Sequence, residues 1–206
     1  MNRPERILMA TRNPGKIREM RRLLEPLGVA VVSVDDVAET AGPPPEVSED
    51  GASFTENALI KARAYAVWAR LPVIAEDSGI CVDALDGAPG IRSSRFGGVE
   101  GDDARNNALL LEKLAGIPEQ RRGAHYHTSV VYLERGDAEP VICEAQWHGR
   151  ILEAPRGTGG FGYDPLFWVP EHGCASAELS ADQKNRLSHR GKAMRALVER
   201  LSALWD

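Results

Sequence analysis

Hydrophobic and polar positions along this chain switch repeatedly between two periods, and each switch marks an element. Arg6 to Ala10, with the apolar run Ile7 to Ala10, reads as a buried strand. Asn13 then offers an N-cap, Pro14 suits the first helical position, and Ile17, Met20, Leu23, Leu24 and Leu27 recur at helical spacing up to Gly28. Ala30 to Val34 is a second strand, followed by a polar loop. Ser53 opens a further helix as the N-cap of a capping box closed by Glu56, with Phe54, Ala58, Ala62, Tyr65 and Ala69 on one stripe. Val73 to Glu76 is a third strand. This β-α-β-α-β opening predicts an α/β sheet with crossover helices.

The middle of the chain changes character. A helix from about Asp102 to Leu114 precedes two long strands, Ala124 to Leu133 and Val141 to Leu152, joined through Gly136-Asp137 as a hairpin. In the second, Val141, Cys143, Ala145 and Trp147 alternate with the mainly polar Ile142, Glu144, Gln146 and His148, so the hairpin is half buried. A glycine-rich segment, Arg156 to Pro165, follows. From Ser180 the chain is helical again, and Ser188 caps a final helix bearing Met194, Leu197, Val198, Leu201 and Leu204. The sum is a mixed central β-sheet flanked by helices, read as one domain over residues 1–206 in two lobes without a linker.

Composition narrows the function. The 206 residues carry 25 Lys and Arg against 30 Asp and Glu, a formal net charge of −5. An acidic chain lacks the basic surface that binding a nucleic-acid polymer requires, so any anionic ligand is held by a local cluster. Met1 to Lys16 contains Arg3, Arg6 and Arg12 around one short apolar stretch, unlike a signal peptide, and no apolar run approaches the ~20 residues of a membrane helix. Cys81, Cys143 and Cys174 are odd in number and widely spaced, which fits neither a disulfide framework nor a zinc site and suits a reducing cytoplasm.

Five segments hold candidate chemistry. Thr11-Arg12-Asn13-Pro14-Gly15-Lys16 lies at a strand-to-helix junction, where N–H groups and the helix dipole attract anions; the bland alternative is a capped helix with a surface lysine. It is not a Walker A loop, since Ala10 and Ile17 stand where that motif needs Gly and Ser or Thr. Lys61 falls beside Phe54 and Tyr65 on the buried stripe, so its ammonium either snorkels past the core or reaches into a site. Glu76-Asp77-Ser78-Gly79 closes the third strand as a turn or as a place for Mg²⁺ and phosphate, with Glu49, Asp50, Asp83 and Asp86 as possible partners.

Gly157, Gly159 and Gly162 match G-x-G-x-x-G, yet Asp164-Pro165-Leu166-Phe167-Trp168 continues as extended chain, so no dinucleotide-binding helix opens there. Phe161 or Tyr163 instead offers an aromatic face to a base. Last come Lys184 and Ser188-His189-Arg190; His189 and Arg190 sit in the first turn of the final helix, where cations oppose the dipole, which points to an anion or carbonyl partner there or, more blandly, to a solvated charged turn. His125 and His127 share one strand face and read as ordinary strand histidines rather than as metal ligands.

Together these segments resemble the inosine/xanthosine triphosphate pyrophosphatase family, the Ham1-like hydrolases of noncanonical purine nucleotides, from Ile7 to Leu201. The landmarks are Thr11-x-Asn13-x-x-Lys16, Ser53-Phe54-x-x-Asn57-Ala58-x-x-Lys61-Ala62, Glu76-Asp77-Ser78-Gly79, Gly87-x-Pro89-Gly90, Phe161-Gly162-Tyr163-Asp164-Pro165 and Lys184-x-x-x-Ser188-His189-Arg190. The resemblance implies a cleft between the two lobes, a homodimer and free ITP, dITP and XTP as substrates, hydrolysed to monophosphate and pyrophosphate with Mg²⁺. It places the phosphate loop on Thr11, Arg12, Asn13, Pro14, Gly15 and Lys16, with Lys61 also on phosphate. It places the catalytic, metal-binding aspartate on Asp77 and the second metal carboxylate on Glu49. Substrate binding falls on Ser78, Phe161, Gly162, Tyr163, Asp164, Lys184, His189 and Arg190, where His189 or Arg190 would donate to the 6-keto oxygen of the base. A Maf-like pyrophosphatase of other modified nucleotides is the nearest alternative, against which Ser188-His189-Arg190 speaks. A non-catalytic nucleotide-binding regulator is the other, and it has no need of Asp77.

Overall fold

The computed structural model describes residues 2–205; Met1, which opens the N-terminal stretch considered above, and Asp206 lie outside the described residues. Seven strands, β1 (Arg6–Met9), β2 (Ala30–Val32), β3 (Val73–Val82), β4 (Gly123–Leu133), β5 (Val141–Ile151), β6 (Phe167–Val169) and β7 (Cys174–Ala175), form one sheet in the order β2-β1-β3-β4-β5-β6-β7. β1 runs parallel to β2 and β3, while β5, β6 and β7 pair antiparallel, so the sheet is mixed as expected. The helices are α1 (Pro14–Leu24), α2 (Val34–Ala41), α3 (Phe54–Ala69), α4 (Asp103–Lys113), α5 (Ala181–Leu187) and α6 (His189–Trp205).

The chain divides into two compact units, Met1–Asp77 with Thr128–Ala145 and Arg190–Asp206, and Ser78–His127 with Gln146–His189. The first unit has three layers because its strands are apolar on both faces. Ile7, Met9, Ile74, Val130, Tyr132 and Cys143 pack against Met20 and Leu24 of α1 and Met194, Leu197 and Leu201 of α6. Their alternates Leu8, Ala10, Val73, Ala75, Val131 and Leu133 pack against Val34 and Val37 of α2 and Ala58, Ala62 and Ala66 of α3. Alanines one turn apart let α3 approach the sheet closely, which brings its polar neighbours Asn57 and Lys61 within reach of β3. The second unit has one core, in which Ile80 and Val82, Leu110 of α4 and Leu114 just after it, and Tyr126, Trp147 and Phe167 meet. The ring centroids lie 4.8 Å apart for Tyr126 and Phe167 and 5.0 Å for Trp147 and Phe167.

Four local expectations are corrected. β3 does not stop at Glu76: Ile80 and Val82 keep the strand alternation and are fully buried, so Glu76 and Asp77 sit mid-strand. The loop after β2 holds α2, nucleated by a capping box in which Ser33 accepts from the Asp36 N–H and Asp36 accepts from the Ser33 N–H. Asp164 to Leu166 form a turn, with extended chain resuming at Phe167. At Ser53 the cap forms as expected, but the Glu56 carboxylate accepts from the Ala52 N–H.

Filling the close α3 contact tests this packing. Ala62→Leu should cost about 1–3 kcal/mol by overpacking, read as a lower urea midpoint. An unchanged midpoint would mean that α3 stands off the sheet.

Candidate functional site

Alternation along β3 sends Glu76 to the α1/α6 face and Asp77 to the α3 face, and each carboxylate acquires its own surroundings. Glu76 is 4% exposed. Its Oε1 accepts from Thr128 Oγ1 at 2.9 Å and from Arg190 Nε at 2.8 Å, and Lys16 Nζ lies 3.5 Å from Oε2. Arg190, at the start of α6, also donates from Nη1 to Glu19 Oε2 of α1 at 2.5 Å. Burial works against the Arg190 charge, but Glu76 and Glu19 outweigh it and hold the guanidinium above the ordinary arginine range.

On the opposite face Asn57 Nδ2 donates to Asp77 Oδ2 at 3.0 Å, while Asn57 Oδ1 accepts from the Gly51 N–H at 2.8 Å. One amide thus orients the aspartate and fixes the loop that carries Glu49. Lys61 Nζ lies 2.8 Å from Glu49 Oε1 and donates to the Glu76 carbonyl at 3.1 Å. The lysine on the buried stripe therefore reaches inward. Burial pushes the Asp77 carboxyl above the usual carboxylate range, opposed by Lys61, the Asn57 hydrogen bond and Lys16, and reinforced by Glu49. Burial pushes Lys16 below the usual lysine range, with Glu76 opposing and Arg190 and Lys61 reinforcing.

The α1 junction behaves as a cap. Asn13 Oδ1 accepts from the Gly15 and Lys16 N–H groups, Thr11 Oγ1 accepts from the Asn13 N–H, and Pro14 occupies the first turn. Arg12 does not join the cluster; it lies 3.6 Å from Asp35 on the surface. Of the six loop residues, Lys16 is the one whose side chain reaches the β3 carboxylates.

In the second unit the glycine-rich loop is held from within. Asp164 Oδ2 accepts from Lys184 Nζ at 2.6 Å and from the Phe161 N–H at 2.9 Å, and Oδ1 accepts from Ser176 Oγ at 2.9 Å. Lys184 Nζ lies 4.6 Å from the centroid of the Phe161 ring. Gly162, in the left-handed region, donates to Asp103 and accepts from Asn107, tying the loop to α4. Tyr163 is 4% exposed and donates to the Ser93 carbonyl at 2.8 Å. It anchors the loop and offers no ring face to a base, so that expectation passes to Phe161, which is half-buried. His189 stacks on Tyr126 at 4.6 Å with 9° between planes, and Ser78 is half-buried on β3.

The donor set suits a hard divalent cation. Four carboxylates, Glu19, Glu49, Glu76 and Asp77, stand with three cations, Lys16, Lys61 and Arg190. Asp77 is held by an amide, and its raised proton affinity marks a buried charge still short of positive compensation. Among the described residues no group of three or more His, Cys, Asp or Glu is disposed around one ion. Mg²⁺ typically takes only one or two protein carboxylates and completes its shell with water and phosphate, so Asp77 and Glu49 fit it. Sequence reasoning named Glu76 only within the Glu76-Asp77-Ser78-Gly79 segment, with no role of its own, and left Glu19 and Thr128 out of the site. The carboxylate pair on β3 was visible, but Glu19 lies 171 positions from Arg190 and carries no local signal.

A model of the Ham1 family matches residues 7–200. A dITP/XTP pyrophosphatase of Aromatoleum aromaticum is 50% identical over 96% of this chain and 96% of its own, and one of Pseudomonas aeruginosa is 49% identical over 96% and 97%. The solved structure of a HAM1 protein from Coxiella burnetii superposes with a TM-score of 0.86 at 39% identity, covering 96% of this chain and 98% of that one.

Two outcomes follow from the carboxylates. Glu76→Ala strands Arg190 with Glu19 alone and should lower stability by about 3–5 kcal/mol in urea unfolding; a loss under about 1 kcal/mol would show that Glu19 suffices. Asp77 keeps its proton in the fold at pH values where the unfolded chain has lost it, so its ionisation destabilises the fold as pH rises through that interval. In metal-free buffer, Asp77→Asn should therefore equal or exceed the parent in stability at pH 7, and a lower thermal midpoint would contradict the buried-charge reading.

Proposed function

The chain belongs to the Ham1 family, and from that premise we propose that it hydrolyses dITP, ITP and XTP to the nucleoside monophosphate and pyrophosphate, cleansing the nucleotide pool. The observation that carries this reading is Asp77, a buried carboxylate with raised proton affinity, oriented by Asn57 and flanked by Lys61 and Lys16.

Attack on the α-phosphorus by water forms a P–O bond and breaks the bond to the bridging oxygen of pyrophosphate. The water must lose a proton, and a carboxylate whose proton affinity is raised by burial is a better base than a free aspartate. Asp77 takes that proton, while the Asn57 amide keeps Oδ2 fixed. The ammonium groups of Lys16 and Lys61 meet the charge that grows on the departing pyrophosphate. Arg190, occupied by Glu76 and Glu19, acts by fixing Glu76 against Lys16 rather than by touching the base. Mg²⁺ held by Asp77 and Glu49 would supply charge neutralisation on the triphosphate and a more acidic water.

In the second unit Phe161 supplies a stacking surface, steadied by Lys184 and by the Asp164 network. His189, with its plane fixed on Tyr126, donates to the 6-keto oxygen of hypoxanthine or xanthine. Adenine presents an amino donor there and leaves the imidazole donor unsatisfied, a penalty of up to roughly 10⁴-fold. Guanine shares the keto group and is excluded through its 2-amino group. The substrates are free nucleotides rather than nucleic acid, consistent with a net charge of −5. Among the described residues no helix is long and apolar enough to cross a membrane. A cytoplasmic homodimer completes the proposal.

Incubation with Mg²⁺ and each of ITP, dITP, XTP, GTP and ATP should release pyrophosphate from the first three, with ATP turned over far more slowly. Orthophosphate as the product, or equal turnover of ATP and ITP, would refute the reading. Asp77→Asn should lower kcat by about 10²–10⁴-fold with the fold intact. Sedimentation at micromolar concentration should give the mass of two chains.

A further inference from the structure

The core of the second unit covers one face of β4 and β5, through Ala124, Tyr126, Trp147 and Ile151. Their alternates His125, His127, Gln146, His148 and Arg150 lie on the other face. Two of these come together across the strands: the rings of His125 and His148 have centroids 5.3 Å apart, inclined by 34°. Two imidazoles bound to one tetrahedral ion at about 2.0–2.1 Å place their centroids about 5 Å apart. The two rings therefore already stand at chelating separation.

We propose that His125 and His148 form a two-imidazole site for one divalent transition-metal ion of the Zn²⁺, Ni²⁺ and Cu²⁺ class, which clamps β4 to β5. Imidazole favours these ions over Mg²⁺, so the site is distinct in chemistry from the carboxylates of β3. Burial, then His148, lowers the His125 pKa, with Asp83 opposing and His127 reinforcing; the neutral ring is the ligating form. The neighbouring His127 makes a different contact, its Nδ1 lying 3.4 Å from Gln146 Nε2. Because the described residues hold no cluster of three metal-binding side chains, water completes the ion's shell. His148 is exposed and His125 half-buried, so the ion has access from solvent.

The test is a calorimetric titration of the full chain, carrying no affinity tag and saturated with Mg²⁺, with Ni²⁺. One ion should bind per chain, and His125→Ala and His148→Ala should each weaken binding at least tenfold, while His172→Ala changes nothing. Cu²⁺ electron paramagnetic resonance should report two nitrogen donors in the parent and fewer in either variant. Should His125→Ala unfold, His148→Gln, at an exposed position, carries the same test. Ni²⁺ affinity unchanged in the His148 variants, or a Cu²⁺ signal without two nitrogens in the parent, would overturn the proposal. Pyrophosphatase activity with Mg²⁺ should be the same in His148→Gln as in the parent.

Discussion

The buried pair of Glu76 and Arg190 is the constraint on which the first unit depends. Both side chains are 2% exposed, a placement tolerable only when charge and hydrogen bonds are met together. Thr128 and Lys16 complete the shell of Glu76, and Glu19 completes that of Arg190. One ion cluster thus connects β3, β4, α1 and α6, four elements from distant parts of the chain. The apolar layers supply the driving force for assembly, while the cluster defines one arrangement of it. Lys16 owes its inward position to this cluster, so the same electrostatics that hold the fold also aim a cation at the β3 carboxylates.

That arrangement reconciles an acidic chain with an anionic substrate. The excess of acidic side chains is spread over the molecule, but four carboxylates are gathered with three cations around β3. Such a group repels a bare triphosphate less than its carboxylate count implies. A divalent cation held there would turn its balance positive. Burial of Asp77 and Lys16 adds to this, since both groups gain when an opposite charge arrives and the water around them leaves.

Much of this was legible in the sequence where the signal is local. The Asn13 cap, the Ser53 cap and the alanine stripe of α3 all follow from residues within a few turns of one another, whereas the stripe showed Lys61 out of place without deciding whether it snorkels or reaches inward. The extension of β3 was hidden because Ser78-Gly79 resembles a stop, although Ile80 and Val82 continue the alternation into a second core. α2 escaped because eight residues with only Val34 and Val37 buried give almost no period. The partners of Arg190 lie 114 and 171 positions away, so its ion pairs are a property of the fold alone. Tyr163 and Asp164 have the residue types of a binding loop, and their contacts with Ser93, Ser176 and Lys184 show that they build the loop.

The opposite facing of Glu76 and Asp77 also bears on the fidelity of folding. A slip of β3 by one residue that brought Asp77 to the place of Glu76, against Arg190, would carry Glu76 to the place of Ala75 on the other face. Aspartate is one methylene shorter and would not span to Thr128 and Arg190 as Glu76 does. In the same movement Ala75 would take the place of Ile74, leaving a void in one layer, and Glu76 would take that of Ala75, forcing a longer charged side chain into the other. A misregistered molecule would thus lose its core packing and its reactive carboxylate together, so selection for either one suppresses the same folding error.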